Sequence, residues 1–165
     1  MVSLPSGKML SKNADAGSID FLKALVQLQK KNFSGYVALC IKGAGGFEEG
    51  TVLLDSGKIV GCAYEYFRHG KELQGAQAFQ RVLNAAAAAI GTMDVVELTP
   101  EQVELVLAVN EKMIYVPDQK QLEGVSVKEF SPLFEREVVS QQPQEQNESR
   151  EDLLKKYKMG GLSTQ

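Results

Sequence analysis

Thr51-Val52-Leu53-Leu54-Asp55-Ser56-Gly57-Lys58-Ile59-Val60-Gly61-Cys62-Ala63-Tyr64 decides the fold class, because two apolar runs are joined by three turn-forming residues, the last of them glycine. That spacing predicts a β-hairpin closed by a type I turn and a bulge. On its N-terminal side, Tyr36-Val37-Ala38-Leu39-Cys40-Ile41 is too short and too β-branched for a free-standing helix, and glycines bound it at Gly35 and at Gly43, Gly45 and Gly46. It reads as a strand buried on both faces. Further back, Ser18 stands where an N-cap belongs. Ile19, Phe21, Leu22, Leu25, Val26 and Leu28 then recur at helical spacing, predicting an amphipathic helix that ends near Lys31.

On the C-terminal side the period changes near Glu72. Leu73, Ala76, Phe79, Leu83, Ala86, Ala87 and Ile90 share one helical face, with Gly91 as the residue that ends the helix. The alanine run lets another backbone come close, so this helix is expected at the centre of the fold. Thr92 to Leu98 reads as a further strand. Thr99-Pro100-Glu101-Gln102 then supplies an N-cap, a proline at the first helical position and a capping-box glutamine. The helix that follows, with Val103, Val106, Leu107, Val109 and Met113, is apolar over most of its girth and is expected to be largely buried. Asn110 falls on that apolar side and needs hydrogen-bond partners there.

From Ser18 to Met113 the order is helix, three strands, helix, strand, helix. The expected fold is α+β: a single compact domain of a small, mostly antiparallel sheet packed with about three helices, followed by a mobile linker and a short C-terminal helix. The divisions expected are a domain over 1–116, a linker over 117–148 and a helical motif over 149–165. Gln141-Gln142-Pro143-Gln144-Glu145-Gln146-Asn147-Glu148 is too polar to offset the entropy of ordering it. Beyond it, Ser149 caps a short helix on which Leu153, Leu154 and Tyr157 form one apolar stripe, the layout that helix-in-groove recognition uses.

The 165 residues carry 18 Lys+Arg against 21 Asp+Glu, a net charge of −3, so no basic excess points to a nucleic acid. No apolar run approaches the roughly 20 residues of a membrane span, and Met1 to Ala16 lacks the apolar block of a signal peptide. A cytoplasmic location is expected. Cys40 and Cys62 both lie in apolar strand-like runs, which fits buried thiols in a reducing compartment and not a disulfide framework.

Several side-chain groups invite chemistry. Lys42-Gly43-Ala44-Gly45-Gly46-Phe47-Glu48-Glu49-Gly50 could expose N–H groups to an anion, but no Gly-Lys-Ser/Thr ending follows, and Glu48 and Glu49 would repel phosphate. A flexible connection between strands is the expected reading. His69, the single imidazole, sits in a polar link where a solvated side chain is ordinary. Glu48/Glu49, Glu101/Glu104 and Glu151/Asp152 read as solvated surface, since nothing in their neighbours implies a pocket. One His and two Cys without Cys-x-x-Cys or His-x-x-x-His spacing imply no metal, and no cofactor is expected. Tyr64 and Tyr66 with Arg68 form either a binding ledge or ordinary sheet-face packing.

The ordered set Asn32-Phe33-Ser34-Gly35-Tyr36, Gly50-Thr51-Val52-Leu53-Leu54, Asp55-Ser56-Gly57-Lys58-Ile59-Val60, Gly75-Ala76-Gln77-Ala78-Phe79 and Gly91-Thr92-Met93 resembles the DUF4388, or PATAN, domain. More closely, Leu4-Pro5-Ser6-Gly7-Lys8, the Asn84 and Asn110 positions and the tail resemble DUF2226, a family of uncharacterised archaeal proteins. The longer Gly43–Gly46 loop departs from the PATAN pattern. PATAN-like domains occur in bacterial signalling proteins as interaction modules without catalytic residues, so the resemblance implies an adaptor role and transfers no active site.

The functional expectation is therefore a non-catalytic module that binds protein partners through Leu153, Leu154, Tyr157, Tyr64, Tyr66 and Arg68, with no nucleic acid and no membrane. A homo-dimer stays open. The alternatives are a small-GTPase regulator built on a roadblock-like platform and a small-molecule or anion-binding domain using Gly43–Gly46. An enzyme would require Asn110, His69 and the glycine loop to share a pocket.

Overall fold

In the computed structural model, which describes residues 2–118 and 129–140, Asp55 pairs with Lys58 and leaves Ser56 and Gly57 as a two-residue loop. Both loop residues have positive φ, 47° and 78°. This is a primed turn, whose twist matches the flanking strands. The expected three-residue turn is thus one residue too long, and the bulge lies within the ladder between Leu53 and Leu54. The turn is held from outside: Ser56 N–H donates to Ser34 Oγ at 2.8 Å and Gly57 N–H to the Phe33 carbonyl at 2.9 Å.

The elements run β1 (Lys8–Asp15), α1 (Phe21–Lys30), β2 (Gly35–Lys42), β3 (Phe47–Asp55), β4 (Lys58–Tyr66), a 3-10 turn (Phe67–His69), β5 (Lys71–Gln74), α2 (Ala76–Ala85), β6 (Gly91–Glu97), α3 (Pro100–Val109), a second 3-10 turn (Glu111–Met113) and α4 (Leu133–Ser140). Six strands form one sheet in the order β1-β6-β2-β3-β4-β5, every neighbouring pair antiparallel. The architecture is α+β, as the sequence predicts.

Each sheet face carries its own core. Val37, Leu39 and Ile41 of β2, Val52 and Leu54 of β3, and Cys62 and Tyr64 of β4 pack with Phe21 and Leu25 of α1 and with Phe79 and Val82 of α2. On the other face Leu53, Val96 and Leu98 meet Val103 and Val106 of α3, and Met113. Strand alternation divides the side chains between these layers. β2 is accordingly buried on one face and half-covered on the other, so Cys40 is only partly enclosed, while Cys62 is fully buried.

Several boundaries differ from expectation. Asp20, not Ser18, caps α1, accepting from Lys23 N–H at 3.0 Å. The residues expected to begin the central helix at Glu72 instead form β5, with Leu73 opposite Tyr64 in the ladder. Pairing to β4 outweighs helix periodicity there, and α2 begins only after Gly75, whose N–H donates to the Cys62 carbonyl at 2.8 Å. Gly91 opens β6 and caps no helix. β1 has no counterpart in the sequence reading: it is an almost wholly exposed edge strand, so no apolar alternation marks it.

The capping box of α3 is present, with Thr99 Oγ1 accepting from Gln102 N–H and Gln102 Oε1 from Thr99 N–H. Its helix is buried on one side only, contrary to expectation, and exposes Leu105 (57%) and Val109 (62%). Within the stretch whose composition marks a linker, α4 lies on the body with Glu135 and Val138 buried. Among the described residues no helix is long and apolar enough to cross a membrane.

Candidate functional site

The glycine-rich loop organises the most polar part of the interior. Gly43 N–H donates to the Gly46 carbonyl at 2.8 Å, closing a turn from which β3 departs at Phe47. Alternation along β3 then puts Glu48 on the same face as Gly50, Val52 and Leu54, directed into the core and 2% exposed. The expectation that Glu48 is solvated is overturned: the strand starts earlier than the apolar residues alone imply, and its period carries Glu48 inward. That period, extended back from Leu54 and Val52, was the signal that could have found it. Glu101 and Glu104 are exposed, as expected, and Glu151/Asp152 lie outside the described residues.

Tyr64 O–H donates to Glu48 Oε2 at 2.6 Å, and the rings of Tyr64 and Tyr66 meet edge to face with centroids 5.1 Å apart. Both tyrosines are buried in the core, so they form no surface ledge. Burial raises the Glu48 carboxyl above its ordinary range, the Tyr64 hydrogen bond opposes the rise, and the Glu135 charge adds to it. Burial, with the charge of Glu48, also pushes the Tyr64 hydroxyl well up and that of Tyr66 up to about 12. Glu48 Oε1 has no hydrogen-bond partner among the described residues.

Beside this pair, α4 delivers Glu135. Its Oε1 lies 2.9 Å from His69 Nε2, and its Oε2 accepts from Gly45 N–H at 2.8 Å. His69 is therefore a partly buried, partnered side chain and not the solvated one expected. Arg68 stays exposed and donates from Nη1 to the Gly45 carbonyl at 2.8 Å. A Cβ on Gly43 would meet the Glu48 carboxylate and one on Gly45 the Glu135 carboxylate, so glycine at both positions lets these side chains lie against the loop. The loop does meet an anion, but the anion is a carboxylate of this chain.

An open groove of about 400 Å³ adjoins the cluster, lined by Gly45, His69, Pro132, Glu135, Arg136 and Val139 among others. Asn110 does not reach it. Asn110 caps α3, the helix on the other sheet face, and its Nδ2 donates to the carbonyls of Val106 at 2.8 Å and Ser3 at 3.1 Å. Of the groups that an enzyme reading would join, His69 and the glycine loop share this groove, and Asn110 lies apart on the other sheet face. Among the described residues no group of three or more His, Cys, Asp or Glu side chains is arranged to hold a metal ion. Chemically, the cluster can bind a carboxylate through one backbone N–H and one imidazole, and it keeps a second, buried carboxyl biased toward its neutral form. Glu135 escaped sequence reasoning because its charged neighbours show no periodicity. Leu153, Leu154 and Tyr157 lie outside the described residues.

No curated protein and no solved structure matches the chain significantly. Residues 2–110 match the family model described as an uncharacterized protein conserved in archaea, and the chain belongs to that family, DUF2226.

Proposed function

We propose that this chain is a non-catalytic, cytoplasmic interaction module whose outer α3 surface docks a protein partner. The supporting observation is the side of α3 that the sheet leaves uncovered: Leu105 and Val109, one helical turn apart, are more than half exposed. Ile114 and Val116 follow, also exposed. Large apolar groups gathered in one place on a surface mark contact sites more often than isolated ones do. The Leu153, Leu154 and Tyr157 stripe is a second contact in this reading, with Arg68 at the rim of the glycine loop as a third.

The test is affinity capture from native cytosol with the wild-type chain, with Leu105→Ser/Val109→Ser, and with a chain ending at Gln141. The double variant should keep its melting temperature, since both side chains are already in water, and lose the captured partner. Identical captures with all three would overturn the reading. Loss only on truncation would move the contact to the tail, and a dimer that the double variant dissolves would identify the partner as a second copy.

A further inference from the structure

Residues 130–140 sit on the body as a peptide sits in a receptor. Asn84 of α2 is buried, and both ends of its amide are satisfied by the backbone of one residue: Nδ2 donates to the Ser131 carbonyl at 3.0 Å, and Ser131 N–H donates to Oδ1 at 2.8 Å. Side-chain amides that pair with one residue's N–H and C=O fix backbone position independently of its side chain. Four residues on, the Glu135 carboxylate is held by Gly45 N–H and His69. Arg81 lies 3.8 Å from the centre of the Phe134 ring, and its Nη2 donates to Glu137 Oε2 at 3.1 Å. Val138 supplies a buried apolar anchor.

This is a backbone clamp, a carboxylate pocket, a cation over an aromatic ring and one hydrophobic insertion, the division of labour by which grooves read amphipathic helices. α4 pairs with no strand. At eight residues it is too short to hold helical structure alone, so its order derives from the groove.

We infer that Gly45, His69, Arg81 and Asn84 form a recognition groove for an acidic amphipathic peptide helix, and that residues 130–140 occupy it in cis as the resident ligand. The ligand class is set by the receptor groups: a backbone ahead of the helix for Asn84, an aromatic and two acids for Arg81, His69 and Gly45, and a β-branched anchor. Here these are Ser131, Phe134, Glu135, Glu137 and Val138. A partner helix with that pattern displaces the resident segment. The groove involves neither Leu105 nor Val109, so this inference and the α3 reading stand or fall separately.

The probe is a fluorescent synthetic peptide of residues 129–140, titrated into the full chain. Wild type should bind it weakly, because a tethered segment competes at high effective concentration. The full-length Glu135→Lys/Val138→Asp chain, whose own segment no longer fits, should bind it at least about tenfold more tightly. Adding Asn84→Ala should remove that gain, and Leu105→Ser/Val109→Ser should not. A folded Glu135→Lys/Val138→Asp chain that ignores the peptide would overturn the inference. A second experiment leaves groove and segment unaltered: a protease site placed between Asp118 and Glu129 is cut in the full-length chain. The released fragment should leave on dilution and rebind on concentration while the body keeps its cooperative melting. A body that unfolds when the fragment leaves would show α4 to be a part of the core and not a ligand.

Discussion

Tyr64 and Glu48, on adjacent strands, share a hydrogen bond of 2.6 Å inside the core, with both side chains buried. Backbone alternation along β3 carries Glu48 inward. Its nearest electrostatic neighbours are Tyr64, Glu135 and His69.

That relationship sets a pH dependence. The Glu48 carboxyl is raised, chiefly by burial, so the folded state holds its proton more tightly than the unfolded chain does. Its contribution to stability is present below the ordinary carboxylate range and is lost as pH rises through the folded-state value. Glu48→Gln keeps an oxygen for the Tyr64 hydroxyl and has no proton to lose. We expect a gain on the order of 1 kcal/mol at neutral pH, a rise of about 2–4 °C in melting temperature, that vanishes toward pH ~4. Melting curves across that range check it. A variant less stable than wild type at neutral pH would mean that the charge itself is needed.

The glycine loop makes a sharper contrast. Gly43→Ala drives a methyl group into the buried Glu48 carboxylate, whereas a Cβ on Gly46 would meet only the Arg68 stem, at 3.3 Å and 3.8 Å. Overpacking of the first kind costs about 1–3 kcal/mol. Urea denaturation should show that loss for Gly43→Ala and almost none for Gly46→Ala. Equal effects would mean that loop conformation, not carboxylate contact, requires glycine.

Thr99→Ala deletes the hydroxyl that accepts from Gln102 N–H at 3.3 Å. The expected cost is about 1 kcal/mol. It should appear as a lower urea midpoint with an unchanged slope, because the area exposed on unfolding stays the same.

The two thiols should label in a fixed order. Burial raises both, and around Cys40 the nearby Glu49 and Asp94 charges add to the effect. Neither should react quickly with an alkylating reagent at neutral pH. Cys40, only partly covered, should label first, and fully buried Cys62 only as fast as the fold opens globally. Mass spectrometry of peptides from a labelling time course resolves the order.

The hairpin at Ser56-Gly57, the cap at Thr99 and the α+β class could be read from the chain because each is a local matter. Turn dihedrals, a first-turn N–H and a two-residue period involve neighbours within a few positions, and the residue types that satisfy them are few. α3 was legible as a helix but not in its burial, since apolar girth does not say how much of it a sheet can cover.

What the sequence alone determined, then, is the set of elements whose backbone preferences agree with their apolar period. Tertiary structure decided the rest. Leu73 belongs to a strand because β4 offered an edge, and polar β1 exists because β6 offered another. His69 meets Glu135 across 66 residues of chain, and Asn84 meets Ser131 across 47. Such contacts leave no local mark: a carboxylate and an imidazole look the same in sequence whether solvated or paired, and only the packing of α4 on the glycine loop removes the water that would otherwise separate them.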